Sequence, residues 1–239
     1  MSNFTFVFFL LVLSVEFLLL TLDVTGNSFW TTLILHFSGV LAMSAKWCYD
    51  CSTIAVFLQR VHVLLFPLKN PNRFNPILVA LGVVACLILI ASNFSLNYKF
   101  AVFDFPATPE GCFSFNCMSS LVSAIKAFFA YVVLTLSLAV IFLGSLLQLL
   151  IRRYKFHFKS SVNVKINKFT SYLFFLRTIL EMFPYLIDTL LMETAGIAVG
   201  KYIGPYGALG GSADAFMCTV VYYCLIRKSQ KNARSFTSK

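Results

Sequence analysis

Long apolar runs separated by short polar segments set the pattern of this chain, with apolar windows at about 4–22, 29–46, 48–67, 76–98, 119–151, 169–192 and 203–226. Most are close to or longer than the roughly 20 residues an α-helix needs to cross a bilayer. The runs show no ten-residue alternation of outward and inward positions, so they predict helices rather than a transmembrane barrel. The fold class is therefore all-α: an integral membrane helical bundle over residues 1–228 and a short cytoplasmic tail at 229–239. Windows 29–46 and 48–67 adjoin, and read either as two helices, giving seven in all, or as one long tilted helix, giving six. The first window has no basic start, carries Glu16 in its middle and ends at Asp23-Val24 without a small-residue cleavage site. It reads as a retained helix, not a secretory signal.

Composition places these helices in lipid. Of the 239 residues, 59% are hydrophobic, 16% aromatic and 12% charged, against roughly 25% charged in soluble domains. The net charge of +10 is unevenly spread: 13 of the 19 basic residues follow the windows ending near 67, 151 and 226, including Lys69, Arg73, Arg152, Arg153, Lys155 and Arg227. The opposite connectors hold Lys99 and Lys201 against Asp104, Glu110 and Glu193. By the positive-inside rule the first set, and the C-terminus with it, is cytoplasmic. The basic cluster at 152–168 then reads as a topology signal facing anionic headgroups, or as a docking surface for an acidic cytoplasmic partner, rather than as a nucleic-acid patch.

The outer connector before window 119–151 holds Cys112 and Cys117, and Cys48 and Cys51 stand near the start of window 48–67. A disulfide among these four is permitted on the oxidising side, and Cys48 and Cys51 read equally well as small apolar helix residues. Neither CYDC nor the scattered His36, His62 and His157 forms a zinc pattern, so no metal or other cofactor is expected.

Ionisable residues inside apolar windows point to function, because a charge at a helix centre costs roughly 2.5–3.5 kcal/mol to insert. Window 169–192 carries Arg177, Glu181 and Asp188 on one face with Pro184, a residue that should kink the helix. Arg177 and Glu181 are spaced for mutual neutralisation, with a ligand or proton pathway as the alternative. Asp214 has no partner within a turn and is expected to meet Arg177 or Lys126 from another helix. Lys126 and Lys46 lie nearer helix ends, where snorkelling accounts for lysines, and Asp50 and Glu16 are similar in position. Gly204, Gly207, Gly210 and Gly211 form a small-residue face suited to close helix packing. No nucleophile–base set, carboxylate pair or HExxH is present, so no enzyme chemistry is visible.

Arg60 reads as the cytoplasmic end of its helix, with Pro67 stopping the helix before a basic loop. With the long basic inner segment and the proline of window 169–192, it resembles the serpentine G-protein-coupled receptors. The stretches FLQRVHVLLFP, FFLRTILEMFPYLIDTLL and YIGPYGALGGSADAFMCTVVYYCLIRK look like nematode serpentine chemoreceptors, of the class BC branch or a near relative, over about residues 30–228. That resemblance implies a rhodopsin-like receptor in the plasma membrane of sensory cilia, which detects a small external chemical and activates a heterotrimeric G protein. Arg60 would match the arginine of the Asp/Glu-Arg-Tyr motif, although Gln59 and Val61 replace its neighbours. Arg60, Arg152, Arg153 and Lys155 would face the G protein. Lys126, Asp188 and Tyr206 would be outer polar groups near the ligand, and Pro184 a pivot. Cys48 or Cys51 would substitute imperfectly for the family's outer-loop disulfide cysteine. No Lys or Arg occurs between residues 1 and 45, where the family has a basic first inner loop, which favours the reading of six helices with the family's first helix missing. A small transporter or channel is the rival reading, weakened by the lack of an internal repeat, and a membrane-embedded enzyme or scaffold is a lesser one.

Overall fold

The computed structural model describes residues 29–66, 74–104, 122–154, 161–196 and 210–224, together with positions 8, 11, 12, 15, 18, 19, 115 and 119. Among the described residues the structure is helical, with no strand. Helix α1 is Phe29–Leu65, α2 is Phe74–Asp104 and α3 is Ser123–Arg153. Helix α4 is Ser161–Arg177, which passes through a π turn at Thr178–Met182 into α5, Phe183–Ala195. Helix α6 covers 210–224. Windows 29–46 and 48–67 thus form one helix of 37 residues. At 1.5 Å per residue it is about 55 Å long, well over the roughly 30 Å of a hydrocarbon core, so a tilt is required if it crosses one.

Helix α1 is the hub, packed against both α2 and α3. Two apolar clusters form along it. One joins Val40 and Trp47 to Phe115, Ile125 and Phe129, with Trp47 edge-on to Phe128 and Phe129. The other joins Phe57, Val61 and Leu64 to Val140, Leu147 and Leu150 of α3, to Leu173 and Phe174 of α4, and to Met182 and Cys218. Close approach in the second cluster relies on Gly144, where an added Cβ would overlap the Phe174 ring. Because Leu64, Leu150 and Cys218 share one cluster, the helix ends leading into the segments near 67, 154 and 225 lie toward the same end of the bundle. These are the basic segments of the chain.

Helices α2 and α3 have the length and apolarity to cross a membrane. In α2 only 6% of the apolar window is buried, and in α3 28%. Leu81, Leu87 and Ile88 of α2 are about three-fifths exposed. Pro76 stands in the first turn of α2, where its missing N–H leaves no bond unmade.

Pro184 does not end its helix. A proline cannot bond to the carbonyl four residues back and its ring pushes that carbonyl aside; here the residue is Leu180, inside the π turn. The Leu180 oxygen lies against Gly210, and a Cβ at Gly210 would overlap it. Gly210 therefore provides the close contact expected of the small-residue face, and Gly211 is buried beside it. Gly204 and Gly207 lie outside the described residues. Helix α5 ends at Gly196, which has φ of 66° and caps with its N–H on the Leu191 carbonyl.

Candidate functional site

Between the two apolar clusters, α1 presents Lys46, Tyr49, Asp50 and Thr53 at helical spacing, so that all four share a face turned into the bundle. Lys46 Nζ lies 3.0 Å from Asp50 Oδ2. Arg177, the last residue of α4, pairs with Asp50 Oδ1 through Nη2 and donates from Nη1 to Thr53 Oγ1. Its Nε stands 3.6 Å from Asp214 Oδ2 of α6. Tyr49 donates its hydroxyl to the same Asp214 oxygen at 3.1 Å, and the guanidinium lies 4.1 Å from the Tyr49 ring centroid. Lys46 Nζ sits 4.6 Å over the ring of Tyr185 from α5.

Lys46, Asp50, Arg177 and Asp214 are each at most 2% exposed. Among the described residues the two cations and two anions balance, which is the condition under which charges tolerate removal from water. The network joins α1, α4, α5 and α6, and its centre is the Asp50–Arg177–Asp214 bridge. Arg177 can serve both carboxylates because its guanidinium offers a rigid fork of donors.

Several sequence expectations are corrected here. Lys46 does not snorkel from a helix end, since merging the two windows places it inside one long helix, where it pairs with Asp50. Arg177 meets Asp50, Asp214, Thr53 and the Tyr49 carbonyl from other helices; the side chain of Glu181, its expected partner, lies outside the described residues. The π turn inserted directly after Arg177 also shifts the register, so residues seven or eleven positions on no longer share its face. Asp188 is accordingly half-buried while Arg177 is fully buried. Asp214 does meet Arg177 across the bundle.

Arg60 is half-buried inside α1, which runs on to Leu65, so His62 and not Arg60 occupies the last turn. Gln59, beside it, donates to Asn75 Oδ1 of α2 at 3.1 Å. Arg152 and Arg153 are exposed in the last turn of α3, where the helix C-terminus favours cations. Lys126 is half-buried in the first turn of α3. Lys155 and Tyr206 lie outside the described residues, as do Cys112 and Cys117.

Cys48 and Cys51 are free thiols. They sit mid-helix in α1, where Cys51 lines a groove with Cys86 of α2, so of the two readings the structure shows these two as helix residues without a disulfide. No metal-holding group of His, Cys, Asp and Glu occurs among the described residues.

Sequence reasoning missed a second polar region. Asn93 of α2, fully buried, donates to Val40 O at 3.1 Å and to Ser44 Oγ at 2.9 Å. Asn97 in turn donates to Asn93. The pair Asn93 and Asn97, spaced by four in an otherwise apolar run, was the available signal. Compared with family models, with curated proteins and with solved structures, the chain matches none.

Proposed function

We propose that the chain is a multi-pass membrane receptor of the serpentine, G-protein-coupled type, which senses a small external molecule and activates a cytoplasmic heterotrimeric G protein. The observation that carries this reading is the buried network of Lys46, Asp50, Arg177 and Asp214, which ties α1, α4 and α6 together at mid-bundle. Arg177 divides itself between two carboxylates on different helices, so a small displacement of α4 and α6 redistributes its bonds without leaving a charge unpaired. That is a two-state element, and a ligand shifts it by its differential affinity for the two states.

The two ends of the bundle suit the two partners. At one end, exposed Arg152 and Arg153 offer a cationic surface for the G protein, with half-buried Arg60 on α1 toward the same end. Among the described residues no acid pairs with Arg60. At the other end, Lys126 and Asp188 are half-buried polar groups on α3 and α5, placed for an external ligand. The π turn and Pro184 make the α4–α5 segment the natural pivot, since π turns recur at functional sites. The family resemblance adds the plasma membrane of chemosensory cilia as the location.

The test is nucleotide exchange on a G protein co-reconstituted with the chain, driven by a panel of small alkanols, ketones and esters. Arg60→Ala is expected to lower ligand-driven exchange at least tenfold at unchanged protein level, and exchange unaffected by the substitution contradicts the proposal. A second reading, a small transporter or channel, draws on the same network, because paired charges inside a bundle also line ion pathways. Ligand-independent flux in proteoliposomes, abolished by Asp214→Asn, would favour it over the receptor.

A further inference from the structure

We propose that the groove between α1 and α2 that begins at Gln59 and Asn75 binds an uncharged, single-tailed membrane lipid whose head both donates and accepts a hydrogen bond, such as a long-chain alcohol or primary amide. The site goes beyond the receptor reading and rests on α2 facing lipid, not on G-protein coupling.

The groove has a volume of about 400 Å³, within the roughly 300–1,000 Å³ of small-molecule sites. Ala55 and Val56 of α1 and Leu78, Val79, Val83 and Leu87 of α2 supply its apolar wall. Val79, Val83 and Leu87 are each more than half exposed, so the groove opens on the bundle flank. Gly82 keeps its floor clear: a Cβ there would meet nothing within 4 Å.

Two side-chain amides meet at one end. Gln59 Nε2 donates to Asn75 Oδ1 at 3.1 Å, and both residues line the groove, half-buried. A single hydrogen bond between two such amides leaves one carbonyl oxygen and one NH2 group open, whichever way each amide is turned. Here they are Gln59 Oε1 and Asn75 Nδ2, neither bonded nor closed off from a ligand among the described residues. Ser52 also lines the groove, but its hydroxyl proton is spent on the Cys48 carbonyl at 2.7 Å. A head that satisfies the amide pair must donate to the oxygen and accept from the N–H. An alcohol or a primary amide does both, whereas an ether, ester or carboxylate cannot donate and an ammonium cannot accept. Position supplies the tail. Asn75 is the second residue of α2 and Gln59 lies within two turns of the end of α1, so the amides stand at the end of the bundle that leads into the basic segments. From Asn75 to Leu87 the groove follows α2 for about 18 Å, close to the depth of one leaflet of a roughly 30 Å hydrocarbon core. A polar head at the border with a tail reaching toward the middle is the order of a lipid in that leaflet, and a volume drawn out over that length suits one tail.

The experiment uses the full chain in lipid nanodiscs, photolabelled with a hexadecan-1-ol that carries a diazirine in its tail, with labelled residues mapped by mass spectrometry. Label is expected on the α1 wall between 51 and 56 as well as on α2 between 78 and 87. Excess hexadecan-1-ol or hexadecanamide should protect both stretches, with hexadecyl methyl ether and hexadecane roughly tenfold less effective, the worth of a hydrogen bond to a half-buried amide. Asn75→Leu should erase the preference for alcohol over ether, a readout that loss of a merely structural contact does not move. Gly82→Leu should fill the groove and remove the label from α1, at a position whose added side chain meets no neighbour. If Asn75→Leu fails to fold, Gly82→Leu and the comparison of competitors on the native chain decide. Label on outward positions such as Leu81 and Val84 with none on α1 would mark an adventitious lipid only and overturn the proposal, as would equal protection by the ether. Protection by cholesterol or a diacylglycerol but not by hexadecan-1-ol would overturn the single tail. Because no signalling is read, failure here leaves the receptor proposal standing, and the reverse.

Discussion

Helices α1 and α2 pack against each other and are opposites. Helix α1 carries Lys46, Asp50 and Arg60 in its interior and has a fully buried face; α2 has no Asp, Glu, Lys or Arg from 74 to 98 and is almost wholly exposed along its apolar window. In water this arrangement would be inverted, because contiguous apolar patches beyond a few hundred Å² are rarely left exposed. In a bilayer it is the expected order: the most apolar helix faces lipid, and charges retreat to where other helices can pair them. Exposure of α2 is thus information about its solvent, and burial of α1 about its partners.

The comparison breaks most sharply at the charges. Asp50→Ala leaves Lys46 and Arg177 buried without their shared anion, and should destabilise the bundle by about 3–5 kcal/mol. The check is thermal unfolding in detergent, with Asp50→Glu expected to retain most of the stability. Next in size is the interior of the α1 side against the exterior of α2. Leu147→Ala, opposite α1 in the buried cluster, should cost about 2–5 kcal/mol, whereas Leu87→Ala on the outer face of α2 should cost under about 0.5 kcal/mol. Equal losses would mean that α2 has an unseen protein neighbour. At Gly210, substitution by Ala forces a Cβ onto the Leu180 carbonyl, an overpacking that should cost about 1–3 kcal/mol. Apart from the Leu87 control, the smallest effect is expected for Asn93→Leu, which removes two donations to α1 and fits the apolar character of α2 elsewhere. A loss of about 1–2 kcal/mol would show that Ser44 and the Val40 carbonyl need their partner.

Much of this was legible in the sequence because apolar runs of helical length admit few folds. The runs pointed to the helices, and the joining of windows 29–46 and 48–67 was favoured by the lack of any Lys or Arg between residues 1 and 45, where a basic inner loop was expected. The isolation of Asp214 on its own helix signalled a distant cation, and Arg177 is that cation. Local spacing misled where the backbone departs from regular helix: Pro184 and Asp188 were put on the face of Arg177 at 3.6 residues per turn, and the π turn begins at the next residue. Lys46 was read as a helix-end residue only while 29–65 was divided in two. The groove at Gln59 and Asn75 depends on which faces of α1 and α2 meet, a tertiary fact that neither helix's own pattern contains.

The central claim is that α2 faces lipid while the network on α1 does not. Nitroxide labels scanned along α2 from Ile77 to Ile90, and placed at Thr53 of α1, in nanodiscs would test it through their collision rates with oxygen and with a water-soluble nickel chelate. The account predicts high oxygen and low nickel access at exposed α2 positions such as Leu81, Val84 and Leu87, and low access to both at Thr53. High nickel access along α2 would put that helix in water and contradict the account.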